Sequence, residues 1–392
     1  MIDSFIFDLP TKLYFGKNQE DNIGKILKER KAKKVLLVHG QGSQVRSGLI
    51  DQVMYYIKHE DIDVVDFGGV RPNPTIELVR QGIKTAKEKG VDFIVAVGGG
   101  SAMDTAKLIS TGFYYDGDPF DISLHKYAPK KALPLGVIVT IAASGSEMSS
   151  SCVIQDDLTG QKKGFNSEFN RPLFAIENPE LTFSVPKNQT AYGIVDILMH
   201  TLERYFSYSP SEIEPSDAFA EALIKSTLES GEIAYKNPDD YTARGNLLLL
   251  SSFSHNGFTS VGKKYSMPVH QLEHVLSGLY PAVAHGEGLA ALFPAWAKFY
   301  LNYDLDKFDR FARNVFGLKC ENKTENAKMG LLRLEEYFKA MDMPTSFKEL
   351  KIENPDINKM VNILTNDGTR VVDHHVKPLD KNVALIIYKS LI

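Results

Sequence analysis

Cysteine is nearly absent from this chain: Cys152 and Cys320 are the only two, and they lie far apart. Two thiols so placed exclude a disulfide framework and a thiolate-rich zinc site, and make a reducing cytoplasm the expected compartment. An excess of either charge is also missing. Lys and Arg total 45 against 49 Asp and Glu, a formal net charge of −4, so there is no basic field for nucleic acid or an anionic membrane. No apolar run approaches the length of a membrane span. The opening MIDSFIFDLPTKLYFG lacks the basic-then-apolar order of a secretory signal. What is present, 392 residues of which 43% are hydrophobic and 24% charged, is a globular composition large enough for two domains.

Two textures divide the chain. Up to about residue 185, short β-branched runs (Val35–Val38, Val64–Phe67, Phe93–Val97, Val137–Thr140) alternate with amphipathic stretches such as Leu78–Lys89. That alternation predicts a parallel sheet with helices on both faces, and the unbroken FIVAV run predicts a central strand. After Ser184-Val185-Pro186 the helical period dominates, over Ile194–Phe206, Ser216–Ser230, Ala243–Asn256, Gly288–Leu301, Leu305–Phe316 and Asn326–Met341. The expectation is an α/β domain over 1–185 and an all-helical domain over 186–392, with no repeats.

Histidine is concentrated in the second half: three of the ten fall between 270 and 285. His270 and His274 are four apart and share a helix face, and His285 follows Tyr280-Pro281 at a place suited to presentation from a loop. Asp196 and His200 repeat the spacing of four upstream. One such histidine would ordinarily be a hydrogen-bonded core residue. One carboxylate–imidazole pair and one pair of imidazoles at this spacing instead suit a divalent cation, and the expected ligands are Asp196, His200, His270 and His285.

In the first half, the FIVAV strand runs into Gly98-Gly99-Gly100-Ser101 and then a helix. Small residues and unpaired N–H groups at a helix start suit a pyrophosphate. An earlier strand ends in His39-Gly40-Gln41-Gly42-Ser43, with Arg46 close by and no carboxylate in the loop. A ribose diol gains from an acid at this place, whereas a 2′-phosphate needs room and donors. Gly40, Gly42 and Ser43 therefore predict NADP(H) over NAD(H).

These stretches together resemble the iron-containing alcohol dehydrogenase family, especially its butanol dehydrogenase-like branch. The matching segments are PTKLYFG at 10–16, RPNPT at 71–75, GGGSAMDTAK at 98–107, TIAASGSEM at 140–148, GIVDILMHTLERY at 193–205 and HQLEHVLSGLY…HGEGLA at 270–290. They span nearly the whole chain in the family's order. The resemblance implies a Rossmann-like dinucleotide-binding domain followed by an all-helical metal domain, a dehydroquinate synthase-like architecture. It assigns the metal to the same four ligands and makes His274 a candidate proton relay. It implies that Asn73, Gly98, Gly99, Gly100, Ser101, Asp104, Thr140, Ser144, Ser149, Lys162 and Leu181 line the cofactor. Two departures from the family pattern are Gln41, which interrupts a run of glycines, and a longer link from His274 to His285.

The implied activity is reversible hydride transfer between NADPH and a short-chain, butanal-like aldehyde or its primary alcohol. One divalent metal is expected, Fe2+ first, with Zn2+ or another divalent ion as alternatives. The expected partners are the small-molecule substrate and a second copy of the chain in a homodimer, with no nucleic acid and no membrane. An NAD-dependent polyol or glycerol dehydrogenase is the alternative among enzymes. A metal- and nucleotide-binding sensor without turnover is the alternative outside them.

Overall fold

A computed structural model describes residues 4–207 and 214–392. By their internal contacts the described residues form two compact units, one of residues 8–185 with 238–252, the other of residues 4–7, 186–207, 214–237 and 253–392.

The α/β unit opens with β1 (Lys12–Phe15), α1 (Ile23–Glu29), β2 (Lys34–Gly40), α2 (Ser43–Arg46), α3 (Leu49–Lys58) and β3 (Asp63–Val70). It continues with α4 (Ile76–Lys89), β4 (Phe93–Gly98), α5 (Gly100–Gly112), α6 (Phe120–Ser123) and β5 (Leu135–Val139). The hairpin β6 (Ser151–Asp156) and β7 (Gln161–Asn166) precedes the last strand, β8 (Phe174–Glu177). Six strands pair in the order β1-β8-β5-β4-β2-β3, every pair parallel.

Alternate residues of the central strands enter two separate cores. Val35, Leu37, Phe93, Val95 and Val97 pack on one face; Leu36, Val38, Ile94 and Ala96 pack on the other. A strand covered on both sides has no polar face to show, which is why FIVAV reads as a continuous apolar run. The hairpin escapes sequence reading because its solvent-facing positions are polar: Gln161-Lys162-Lys163-Gly164 carries no strand signal until Cys152, Ile154 and Phe165 bury against the core.

The helical unit contains α7 (Lys187–Tyr205), α8 (Glu214–Lys236), the end of α9 (Tyr241–His255), α10 (Pro268–Leu279) and α11 (His285–Tyr300). After these come α12 (Leu305–Phe316), α13 (Lys323–Ala340), α14 (Ile357–Thr365) and α15 (Lys381–Lys389). The described residues include no helix long and apolar enough to cross a membrane. Sequence reading assigned all of 186–392 to the helical half, but residues 238–252 pack with the α/β unit. The reason is Leu248, fully buried in the sheet's core, while Gly245 faces Phe15 and Pro179. A helical period shows which side of a helix is apolar, not which core will receive it.

That segment also closes a buried acid pair. Ser252 Oγ lies 2.8 Å from Glu147 Oε1 and 2.6 Å from Glu177 Oε1, all within the interior. One hydroxyl proton serves only one of these contacts, so the other requires a protonated carboxyl. Burial raises the pKa of both acids, and with the charge of Glu147 beside it Glu177 is pushed up to about 8. Because the folded value exceeds the unfolded one, the protonated pair's contribution is complete below the unfolded carboxyl pKa. It is then lost as pH rises through about 8. Glu177→Gln supplies a neutral amide that needs no added proton. Melting temperatures of the two proteins, followed from about pH 5 to about pH 9, should show a shallower decline for the variant. Parallel declines would reject the shared proton.

Candidate active site

Three helices of the helical unit bring the expected ligands together. Asp196 and His200 lie one turn apart on α7, His270 is in the first turn of α10, and His285 begins α11. His285 was expected on a loop. It is helical because Glu287 reaches back to accept from the Ala284 N–H at 3.0 Å, which closes the first turn.

Asp196 Oδ1 is the hub. It stands 3.5 Å from His200 Nδ1, 3.5 Å from His270 Nε2 and 3.8 Å from His285 Nε2. Two donors each about 2.1 Å from one ion, at a tetrahedral angle, are roughly 3.4 Å apart. These separations therefore fit a shared ion and are long for direct N–H···O bonds. Asp196 Oδ1, His200 Nδ1 and His270 Nε2 are buried without a hydrogen-bond partner among the described residues. Such orphaned atoms are costly unless a cation collects them. The donor atoms of Asp196, His270 and His285 lie within 4.8 Å of one another. His200 stands beside that trio, its ring 4.7 Å from His270 and 4.1 Å from His255.

Two carboxylates missed by sequence reading stand behind the histidines. Glu203 contacts His270 Nδ1, and Glu273 contacts His285 Nδ1; both side chains are fully buried. Each follows a histidine by three residues, which places a carboxylate one turn along the same helix face. That spacing was legible, but neither acid serves the histidine before it. Burial lowers the His200 pKa well below its usual value, with His255 and His270 adding to the effect. Burial also opposes charge on His270, yet Glu203 and Asp196 prevail and raise it to about 9. His274 is half-buried, with ring centroids 5.7 Å from His285 and 6.3 Å from His270.

The expected dinucleotide residues cluster in the α/β unit. Gly98 adopts φ +153°, a conformation suited to glycine, and leads from β4 into α5. The next two glycines answer to the chain's own packing. A Cβ on Gly99 would meet Ile141 Cγ2 at 2.5 Å, and one on Gly100 would meet Ser144 Oγ at 2.7 Å. Thr140 N–H donates to the Gly98 carbonyl at 3.1 Å, so the two loops lie against each other. Ser101 is in the first turn of α5, where N–H groups have no partner within the helix.

Asp104 accepts from Ser146 Oγ at 2.7 Å and Val153 N–H at 2.9 Å, which ties α5 to the hairpin. Burial raises its pKa, while the charges of Lys107 and of Lys162 on β7 oppose that shift. Lys107 donates to the Ser149 and Ser151 carbonyls at 3.0 and 2.7 Å, and Ser149 Oγ accepts from Ser151 N–H. Leu181 and Asn73 make other contacts. Leu181 packs on the core around Val35 and Val97, and Asn73 takes a left-handed turn at φ +54° before Pro74.

At the first loop neither Gly40 nor Gly42 has positive φ; a Cβ on Gly40 would be 3.3 Å from the Val70 carbonyl, and Gly42 faces open space. The side chain of Ser43 lies outside the described residues. Gln44 Nε2 donates to Thr140 Oγ1 at 3.0 Å and so joins this loop to the one after β5. His39 Nε2 lies 2.6 Å from Asp66 Oδ1 on β3, so the loop itself lacks a carboxylate but its foot does not.

A family model described as iron-containing alcohol dehydrogenase matches residues 10–179, and one for the C-terminal part of that family matches 190–390. The chain is 38% identical over 390 residues to NADH-dependent butanol dehydrogenase A of Clostridium acetobutylicum, covering 99% of each. It is 29% identical to the NADPH-dependent aldehyde reductase YqhD of Escherichia coli, over 99% of this chain and 100% of that one. The solved structure of NADH-dependent butanol dehydrogenase A from Thermotoga maritima superposes with a TM-score of 0.94 at 35% identity, covering 100% and 99% of the two chains.

Replacing His270 or His285 with Ala should remove most of the bound divalent ion, measured by elemental analysis after loading, while circular dichroism still reports a folded chain. Full metal occupancy in both variants would reject the donor set. At the glycine loop, Gly99→Ala should lower the melting temperature through its clash with Ile141, and adding Ile141→Ala should restore it. Coenzyme affinity that stays weak in the stable double variant would show that a ligand also needs the bare backbone.

Proposed function

The chain belongs to the iron-containing alcohol dehydrogenase family, and from that premise we propose that it passes hydride reversibly between NADPH and a short-chain, butanal-like aldehyde. The observation that carries this reading is the convergence of three orphaned buried atoms, Asp196 Oδ1, His200 Nδ1 and His270 Nε2, with His285 Nε2 beside them. A bound divalent ion supplies a Lewis acid for the substrate oxygen, and a nicotinamide supplies the hydride. Fe2+ is the proposed ion, with Zn2+ or another divalent cation able to take its place because all four donors are nitrogen or oxygen.

The chain's own residues do the rest. One carboxylate and three neutral imidazoles would cancel only one of a dication's two charges, which would leave it able to polarise a substrate oxygen. His274, beside His285, passes a proton to the alcohol oxygen as it forms. Gly98–Ser101 present the start of α5 to the pyrophosphate, with Thr140, Ser144, Lys162, Leu181 and Asn73 around the dinucleotide. Asp104 and Ser149 shape the loops from behind, since Ser146, Val153 and Ser151 already engage their oxygens. The same reading includes a homodimer, to be tested by analytical ultracentrifugation.

The coenzyme preference rests on the loop at 40–43. It offers open space at Gly42 and no carboxylate of its own, while Asp66 is engaged by His39. Several relatives, at 34–38% identity, are named NADH-dependent, and YqhD is named NADPH-dependent, so the loop chemistry is what favours NADPH. Relatives named 1,3-propanediol dehydrogenase, 29% identical over 93% of this chain, support a diol oxidation as second reading.

Kinetics with an aldehyde and alcohol panel, after defined metal loading, separate these readings. Butanal reduction should proceed with higher kcat/KM for NADPH than for NADH. Glycerol or propanediol oxidation with NAD that far exceeds butanal reduction would favour the polyol reading, and binding without turnover the sensor. Gln41→Glu adds charge at nearly constant size, whereas an Asp at Gly40 would press on the Val70 carbonyl. Like-charge repulsion of about 1–3 kcal/mol should lower the NADPH/NADH ratio roughly ten- to hundredfold. A native preference for NADH, or an unchanged ratio in the variant, would overturn the NADPH assignment.

A further inference from the structure

Behind the four donors lies a second layer of charge in the helical unit. Glu203 and Glu273 have fully buried side chains, and each places a carboxylate oxygen against the Nδ1 of a histidine on another helix. A carboxylate accepts but does not donate, so each contact selects the tautomer with its proton on Nδ1. The opposite nitrogen, Nε2, then carries the lone pair. In both rings that nitrogen faces Asp196 Oδ1, at 3.5 Å from His270 and 3.8 Å from His285.

The surroundings are built to keep the acids there. Glu203 also accepts from the N–H groups of Val269 and His270, at 2.6 and 3.4 Å, so it holds the start of α10 as well as the ring. Glu273 occupies space that only a glycine leaves open: a Cβ on Gly288 would meet its Cγ at 2.8 Å and its Oε1 at 3.2 Å. Gly288 is one turn along α11 from His285, the residue that Glu273 serves. Two buried carboxylates beside Asp196 are a heavy desolvation load, and a dication among the three is what offsets it.

We propose that Glu203 and Glu273 are positioning residues that lock His270 and His285 as Nδ1–H tautomers, and that this locking, rather than the donor set alone, sets how tightly the centre holds its ion. The proposal rests on the metal-site reading above. Glu273 is the cleaner probe, because Glu203 also supports a helix start. Glu273→Leu fills the space without accepting a hydrogen bond. Glu273→Gln retains an acceptor and therefore the tautomer. Gly288→Ala displaces the acid without altering it.

Dissociation constants for Co2+ and Zn2+, measured by competition with a chromophoric chelator, test this directly. The Co2+ ligand-field spectrum reports on ligand geometry, and the melting temperature in excess chelator reports on the metal-free fold. Relative to the native chain, Glu273→Leu and Gly288→Ala should bind about 10- to 100-fold more weakly with a changed Co2+ spectrum. Glu273→Gln should stay within a few-fold of native. Native affinity in Glu273→Leu, or a loss in Glu273→Gln as large as in Glu273→Leu, would overturn the tautomer lock. Weaker binding that merely follows a lowered metal-free melting temperature would also overturn it. A native chain that binds neither ion would overturn the metal-site reading and this inference together, whereas native binding with unaffected variants overturns only the inference.

Discussion

Buried charge must be collected at one point, and the helical unit is arranged around that requirement. Asp196, His200 and His270 are nearly removed from solvent, with Glu203 and Glu273 behind them. Desolvating so many ionisable groups is tolerable only when each polar atom finds a partner or a cation. Meeting that condition brings α7, α10 and α11 very close. The sequence HGEG at the start of α11 permits it: a Cβ on Gly286 would lie 2.5 Å from Tyr192 Cα on α7, and Gly288 yields to Glu273 on α10. Tyr192 completes the fit by donating to Glu287 at 2.8 Å. The two glycines after His285, Gly286 and Gly288, are what allow α11 to approach α7 and α10 this closely.

The α/β unit solves a related problem by another route. Its glycine- and serine-rich loops are held stiff by their neighbours. Stiffness comes from packing loop on loop, Gly99 against Ile141 and Gly100 against Ser144, and from the Gln44–Thr140 hydrogen bond. Behind them, half-buried Asp104 and buried Lys107 bind α5 to the hairpin and the Ser149–Ser151 segment. Removing Lys107 from water costs enough to depress its pKa, and the two carbonyls it serves are what it gains in return. Rigidity here is obtained from polar groups turned inward.

Much of this was readable from order and spacing alone. The alternation of β-branched and amphipathic runs specifies a parallel sheet, because strand and helix periods are local properties of the chain. Asp196 and His200, like His270 and His274, share a helix face because four residues make about one turn. The GGGS run marks a strand-to-helix turn with open N–H groups. These features depend on residues close in sequence; β4, α5 and α10 stand where that reading placed them, while α7 begins at Lys187, ahead of the expected Ile194.

What required the tertiary structure involves residues far apart in sequence. Glu203 lies next to His200 in helical spacing but serves His270, and Glu273 lies next to His270 but serves His285. The pairing follows from how the helices pack, which no local period encodes. Leu248 chooses the sheet's core over the helical one for the same reason. Gly99 and Gly100 look like concessions to a ligand in the sequence, and only the neighbouring loop reveals that Ile141 and Ser144 occupy the space. The sequence by itself determined the elements and the chemistry each could offer; packing decided which groups meet, because burial, not proximity along the chain, forces a polar atom to find its partner.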